Sequence, residues 1–301
     1  MIHVFGSLNV DFFMQVKSFP GSGETVTGGN YYLAPGGKGA NQAAAAARLG
    51  ANVAMHGMVG DDQWAETVLA ALAEDGVDIS AVGKTSDAGT AIASILINAD
   101  GENLIAVASG ANMLASADSL NSVSLTINDY LVLQMEVEAE ANWQALNIAH
   151  KAGATTVLNV APAAIVPENV LSQVDFLVVN ESEARLVAHA MASLSLEDMA
   201  QALSKAYNLT TIITLGPDGA IATQGEEMIR VPSLEITPVD TTGAGDAFIG
   251  TLVTMLSEGG SLKEAMEYAC KSAALSCSKP GAMPSYVKRN TLMELDNQRG
   301  N

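Results

Sequence analysis

The sequence predicts an α/β fold: a mostly parallel central sheet with helices on both faces, and a small antiparallel β lid beside it. Three observations predict it. Short apolar runs alternate along most of the chain with longer stretches of helical periodicity, the pattern of repeated βα units. Between residues 89 and 108 that alternation stops, and two strand-like runs follow each other around Ala99-Asp100-Gly101 with no helix between them. Hydrophobic residues make up 49% of the chain and charged residues 16%, enough apolar material to cover a sheet on both sides.

The elements follow in order. Residues 2–7 form the first strand. A Gly-rich, aromatic segment over 21–33 leads to the tight run Ala34-Pro35-Gly36-Gly37-Lys38-Gly39, and 41–49 is an Ala-rich helix closed by Gly50. Residues 53–59 read as a buried strand and 64–74 as an amphipathic helix stopped by Gly76. The lid hairpin takes 91–97 and 103–107, with residues near 12–16 and 24–33 joining its sheet. Further strands fall at 130–134, 155–159, 176–179 and 211–215, and helices at 138–152, 181–190 and 196–207. Residues 220–223 and 228–231 read as an antiparallel edge, and helices 244–257 and 262–276 close the pattern. No repeat, low-complexity tail or linker divides the chain, so 1–301 is expected to be one domain, its lid built from about 11–33 and 89–108.

The net charge of −19 argues against a nucleic-acid or anionic-membrane partner, because phosphate would be repelled. A phosphate group must then be held by backbone geometry, a metal ion or a few placed cations. The segment MIHVFGSLNV has no basic stretch before an apolar core, and no apolar run is long enough to span a bilayer. A soluble, cytoplasmic protein is expected. Cys270 and Cys277 lie two helical turns apart, beyond disulfide reach, and read as buried free thiols. His3, His56, His150 and His189 have no metal-ligand spacing and read as structural or surface residues.

The strongest chemical signal is at residues 239–250. Gly243, Ala244 and Gly245 stand where an extended segment becomes a helix, whose first N–H groups have no internal partner and point outward at its positive end. Small residues let an anion approach those groups. Asp246 follows within the first turn, beside any anion bound there. A structural helix start also favours aspartate, but not two glycines, which weaken a helix. Two other phosphate motifs fail: Gly83-Lys84-Thr85 has Asp78 where a Walker A loop needs its first glycine, and Phe248 occupies the third position of a dinucleotide fingerprint. In residues 34–43, glycines around Lys38 permit close ligand approach and Asn41 suits a polyhydroxylated substrate, although the composition also reads as a tight turn. Asn9 and Asp11 come just after the first strand, at the end where open α/β sheets bind ligands, and are also ordinary turn formers.

Together these segments resemble the signatures of the ribokinase-like (PfkB) carbohydrate kinases. The resemblance rests on Gly6-Ser7-Leu8-Asn9-Val10-Asp11, Gly36-Gly37-Lys38-Gly39-Ala40-Asn41 and Asp240-Thr241-Thr242-Gly243-Ala244-Gly245-Asp246. It continues in the family's order through Val59-Gly60-Asp61-Asp62, Gly110-Ala111-Asn112, Leu133-Gln134-Met135-Glu136, Asn180-Glu181-Ser182-Glu183, Thr214-Leu215-Gly216 and Gly281-Ala282-Met283-Pro284-Ser285. It implies that Asp246 takes the proton of a sugar hydroxyl while the N–H groups of Gly243, Ala244, Gly245 and Asp246 hold the phosphoryl charge. It assigns Asn9, Asp11, Gly37, Lys38, Asn41 and Glu136 to the sugar, and Asn180, Thr214, Gly216 and Gly219 to ATP. Glu183 would serve Mg²⁺ through water, and Asp240, Thr242 and Ser285 a K⁺ site.

The implied reaction is phosphoryl transfer from ATP to a primary hydroxyl of a pentose, ribose foremost, and the lid can pair two subunits. Sibling kinases acting on fructose, 2-keto-3-deoxygluconate or adenosine are the rivals, with a non-catalytic sugar-binding regulator behind them. Asn159-Val160-Ala161-Pro162, Ala88-Gly89-Thr90 and Phe12-Phe13 depart from the family's usual residues, which bears on substrate choice, and the two rings could stack on a nucleobase.

Overall fold

The computed structural model describes residues 1–189 and 193–299. The chain opens with strands β1 (Ile2–Phe5), β2 (Asn9–Gln15) and β3 (Tyr31–Gly36), then α1 (Lys38–Arg48), β4 (Val53–Gly60), α2 (Gln63–Glu74) and β5 (Asp78–Thr85). The hairpin β6 (Ala91–Ile97) and β7 (Asn103–Ala108) follows. Then come α3 (Asp118–Asn121), β8 (Tyr130–Leu133), α4 (Ala139–Ala152), β9 (Thr155–Asn159), α5 (Glu168–Leu171), β10 (Phe176–Asn180), α6 (Glu181–Val187), α7 (Leu196–Tyr207) and β11 (Thr210–Thr214). The edge pair β12 (Ala220–Gln224) and β13 (Glu227–Val231) precedes α8 (Ala244–Ser257), α9 (Leu262–Ser276) and α10 (Arg289–Arg299).

Among the described residues the main sheet runs β13-β12-β11-β10-β9-β8-β1-β4-β5, parallel from β11 to β5, with β12 and β13 added antiparallel. Of its central strands β1 is buried throughout, and β8 and β9 are buried beyond their half-buried first residues, as a sheet covered on both faces requires. One face packs on α1, α2, α8 and α9, the other on α4, α6 and α7. From β1 the chain builds outward to β4 and β5, then returns to β8 on the other side and continues to β13. That reversal opens a crevice beyond the carboxyl ends of β1 and β8, where sheets of this kind bind ligands. No helix among the described residues is long and apolar enough to cross a membrane.

The lid is a second sheet of order β3-β2-β6-β7. Its outer pairings are antiparallel, whereas β2 and β6 run parallel, because the chain returns to β6 only after passing through α1, β4, α2 and β5. β1 ends at Phe5, and Asn9 and Asp11 belong not to a loop but to the lid strand β2. Elements with weak sequence signals are the half-exposed edge strand β5, the single-turn helices α3 and α5, and the polar helix α10. α1 begins at Lys38 rather than at Asn41. The helix expected over 181–190 is α6, ending at Val187, and Ala190 lies outside the described residues. Both cysteines are free and buried. His3 and His56 form a buried pair, Nδ1 to Nε2 at 3.0 Å, and burial lowers both imidazoles' pKa values, that of His56 to about 4.

Candidate active site

The site begins with how closely α1 and α8 approach. A Cβ on Gly250 would stand 2.6 Å from the Ala45 Cβ and 2.7 Å from the Gln42 carbonyl oxygen, so only glycine lets the two backbones touch there. The contact brings two amides of α1 against the first turn of α8. Asn41 Nδ2 donates to Asp246 Oδ2 and Gln42 Nε2 to Asp246 Oδ1, both at 2.9 Å. Asp246 is 6% exposed. Burial raises its pKa, while the Lys38 charge and the two amide bonds work against that rise. A carboxylate oriented by two fixed donors, in a nearly dry site and close to one lysine, is built to accept a proton.

Gly37 turns the chain into α1 at φ 89°, with its Cα so close to the Ser7 carbonyl and Asn9 amide that a side chain would clash. This delivers Lys38 to the crevice. Its backbone N–H donates to Glu136 Oε2 at 3.0 Å, and Ser7 Oγ donates to the same oxygen at 2.5 Å. Burial would lower the Lys38 pKa, but Asp246, Glu136, Glu183 and Asp11 together outweigh it and the ammonium is held above its usual range. Asp11 is 8% exposed and packs across Gly36. Its pKa rises to about 7 through burial first, then the charges of Glu136 and Asp246, with Lys38 opposing. Asn9 accepts from Asn112 Nδ2 at 2.8 Å, which points its amide from the base of the lid. The Oδ1 of Asn41 is buried without a protein partner, an acceptor open to a hydroxyl donor. The structure thus gathers Asn9, Asp11, Gly37, Lys38, Asn41, Glu136 and Asp246 in one crevice. Phe12 and Phe13 instead stack on Tyr31 and Tyr32 across the lid, centroids 5.3 and 4.6 Å apart.

On the other side of the α8 N-terminus lies a cavity of about 440 Å³, lined by Thr214, Gly216 and Gly219, by Ala244 and Gly245, and by apolar groups of α9. Gly243 caps α8 with φ 74°. Gly245 is different: an added Cβ would meet nothing within 4 Å, so no packing demands glycine there. The space above it opens on the cavity at the N-terminus of α8. There the Ala244 N–H is spent on the Thr241 carbonyl at 3.2 Å, which leaves Gly245 and Asp246 as the first-turn residues whose N–H groups have no partner within the helix.

Asn180 and Glu183 stand outside this lining. They form a reciprocal capping box at the start of α6, Asn180 N to Glu183 Oε2 at 2.8 Å and Glu183 N to Asn180 Oδ1 at 2.9 Å. Burial raises the Glu183 pKa against its bond from Asn180 and the charge of Lys38. Among the described residues no three histidine, cysteine or acidic side chains gather as a metal-ligand set. A divalent ion here would therefore arrive largely coordinated by nucleotide phosphates and water, with a single carboxylate nearby, which is how Mg²⁺ is usually held.

Asp240 accepts from Thr242 N and Oγ1 at 2.9 and 2.6 Å and from Gly281 N at 2.8 Å. These bonds outweigh desolvation and keep its carboxyl below the ordinary range. Ser285, fully buried on the same 281–286 segment, gives its Oγ to the Ala282 carbonyl. Asp240, Thr242 and Ser285 each offer a hard oxygen, chemistry that suits a monovalent cation.

Sequence reasoning missed Gln42, which bonds Asp246 and also joins Asn159 and Gln134 through its amide. Its signal was a second polar residue inside an otherwise Ala-rich helix. Asp62, part of the Val59-Gly60-Asp61-Asp62 motif but given no role by it, caps α2 and accepts from Thr90 N and Oγ1 at 2.7 and 2.8 Å, tying the lid entrance to the body.

The model of the pfkB family carbohydrate kinases matches residues 1–289. The ribokinase of Haemophilus influenzae is 36% identical over 299 residues, covering 97% of this chain and 96% of that protein. The deoxyribokinase of Salmonella typhimurium is 33% identical over 291 residues, covering 95% of each. The structure of Arabidopsis thaliana ribokinase complexed with ribose and ATP is similar at a TM-score of 0.88 and 29% identity, over 98% of this chain and 97% of that one.

Proposed function

The chain belongs to the PfkB family of carbohydrate kinases, and from that membership we propose that it transfers the γ-phosphate of ATP to the primary hydroxyl of D-ribose, giving ribose 5-phosphate. The observation that carries this reading is the placement of Asp246. It is buried, held by two amides, and set between a polar crevice on one side and an anion-ready helix N-terminus above a cavity on the other.

In the proposed reaction Asp11, Asn41 and Lys38 grip the hydroxyls and the reacting hydroxyl lies within hydrogen-bond reach of Asp246. As its oxygen bonds to phosphorus and the bond to the departing ADP oxygen breaks, the hydroxyl proton passes to Asp246. The N–H groups at Gly243, Ala244, Gly245 and Asp246 face the charge that spreads over the phosphoryl oxygens. The nucleotide occupies the cavity beside Thr214, Gly216 and Gly219, with Asn180 near its phosphates. Glu183 would hold Mg²⁺ through water, and the ion would neutralise charge at the phosphates. Asp240, Thr242 and Ser285 would hold K⁺, whose charge would steady the turn that follows Thr242. We place the reaction in the cytoplasm, where ATP is supplied, and treat 1–301 as one domain with its lid.

Tyr32, Ile105 and Val107 are exposed on the lid face that carries Asp11 and Phe13. This supports pairing of two copies through the lid, and a monomeric mass in sedimentation at micromolar concentration would exclude it. The second reading is 2-deoxyribose as the preferred acceptor, favoured by the likeness to a deoxyribokinase. Specificity constants for ribose, 2-deoxyribose, fructose, 2-keto-3-deoxygluconate and adenosine test both. Ribose should lead 2-deoxyribose by about 10- to 100-fold, the worth of one unsatisfied buried polar group. Any other acceptor ranking above ribose overturns the ribose assignment.

A further inference from the structure

The segment 281–286 grips the anion-binding turn at two points. Gly281 N bonds the Asp240 carboxylate at its start. At its end the phenol of Tyr286, 5% exposed, donates to the Gly243 carbonyl at 3.2 Å. The hydroxyl fills the place a side chain at 243 would take, 2.5 Å from an added Cβ. Gly243 O also accepts from Ala247 N at 2.9 Å, so the first peptide of α8 is held from inside the helix and from outside it. Tyr286 is itself anchored from behind. Its carbonyl accepts from Arg48 Nη1 at 3.2 Å, the same guanidinium nitrogen bonds Met283 O, and Arg48 Nε pairs with Asp75 at 2.8 Å. The chain of contacts runs from α2 through the end of α1 to the back of the turn, without touching the crevice or the cavity above Gly245.

We infer that Tyr286 is a positioning residue for phosphoryl transfer: its hydroxyl fixes the Gly243–Ala244 peptide, whose own N–H is held by the Thr241 carbonyl, and so aims the N–H groups of Gly245 and Asp246 that follow it. The inference rests on the kinase reading above. Donors that stabilise developing charge act by being fixed beforehand, and a shift of a fraction of an ångström in their aim costs turnover while leaving ground-state binding intact.

The test is Tyr286→Phe, which keeps the ring and removes the bond. The wild-type chain must first phosphorylate a sugar with ATP; if it does not, the kinase reading fails and not this inference alone. Given that activity, we expect kcat to fall about 10- to 100-fold, the range seen when reacting groups are misplaced by up to an ångström. The KM values for sugar and ATP should stay within about twofold, since ground-state binding is untouched. A binding readout accompanies it. Affinity for ADP alone should be unchanged, while affinity for ADP with aluminium fluoride and sugar should weaken by the same factor as kcat. A kcat within twofold of wild type overturns the inference. So does an equal loss of affinity for ADP and for the fluoroaluminate complex, which would make Tyr286 a packing residue only.

Discussion

Replacing Gly245 by alanine should make the protein more stable and much less active. Residue 245 lies in the first turn of α8, its φ is not left-handed, and an added Cβ meets nothing within 4 Å. Alanine in a helix is favoured over glycine by about 0.5–1 kcal/mol, so the fold should gain rather than lose. For a chain of this size that is a rise in Tm of about 1–4 °C. The methyl enters the space above the helix N-terminus, where the proposed reaction brings the phosphoryl group. A carbon atom holds neighbours off at roughly 3.5 Å, whereas an amide holds an oxygen at about 2.9 Å, so the phosphoryl oxygens lose at least one donor. One lost donor of this kind is worth about 10²–10³ in kcat, or roughly 2.7–4 kcal/mol. Thermal denaturation and a coupled ADP-release assay on one preparation give both numbers. A kcat within about threefold of the parent, or a lower Tm, would refute the reasoning.

Three further outcomes follow from the electrostatics. Asp11 has a pKa of about 7 in the sugar-free protein and accepts hydroxyls best as the carboxylate, so kcat/KM for the sugar should rise with pH and level off above about 7, standing about tenfold below the plateau at pH 6. Because the folded state keeps a proton that the unfolded chain releases near pH 4, Asp11 contributes stability that is present at low pH and lost as pH rises through about 7. Asp11→Asn should abolish both trends, and a pH profile unchanged in that variant would move the titration to another group. At equal ionic strength K⁺ should support higher turnover than Na⁺, and Asp240→Ala should erase the difference; identical rates in both salts would remove the cation from the account.

Much of this was legible in the sequence because the residues concerned obey local rules. Gly243, Ala244, Gly245 and Asp246 stood out because two glycines sit at a helix start; Gly243 has a structural reason in its left-handed φ and the Tyr286 hydroxyl packed against it, whereas Gly245 leaves its space empty. The alternation of apolar runs and helical stretches marked the main sheet, and Asp100-Gly101 marked the hairpin. Gln42 was hidden because an amide one residue after Asn41 reads as a solvated side chain until α8 is laid across α1, a contact fixed by Gly250 over two hundred residues away. Tyr286 was hidden for the same reason, since its partner Gly243 is distant in sequence. Strand β5 escaped notice because edge strands need bury only part of one face. The parallel pairing of β2 with β6 depends on where the chain returns, which no local pattern records.

The most direct test of the central claim is the turnover of Asp246→Asn with ribose and ATP. Asparagine is nearly isosteric; its Oδ1 can accept from Gln42, and its Nδ2 can donate to Asn41 once that amide turns its unpartnered Oδ1 inward, so the fold and the affinities for sugar and ATP should persist. Turnover should fall by at least about 10²–10⁴-fold, the usual worth of a positioned base. Near-normal turnover in a folded, substrate-binding Asp246→Asn protein would contradict the account.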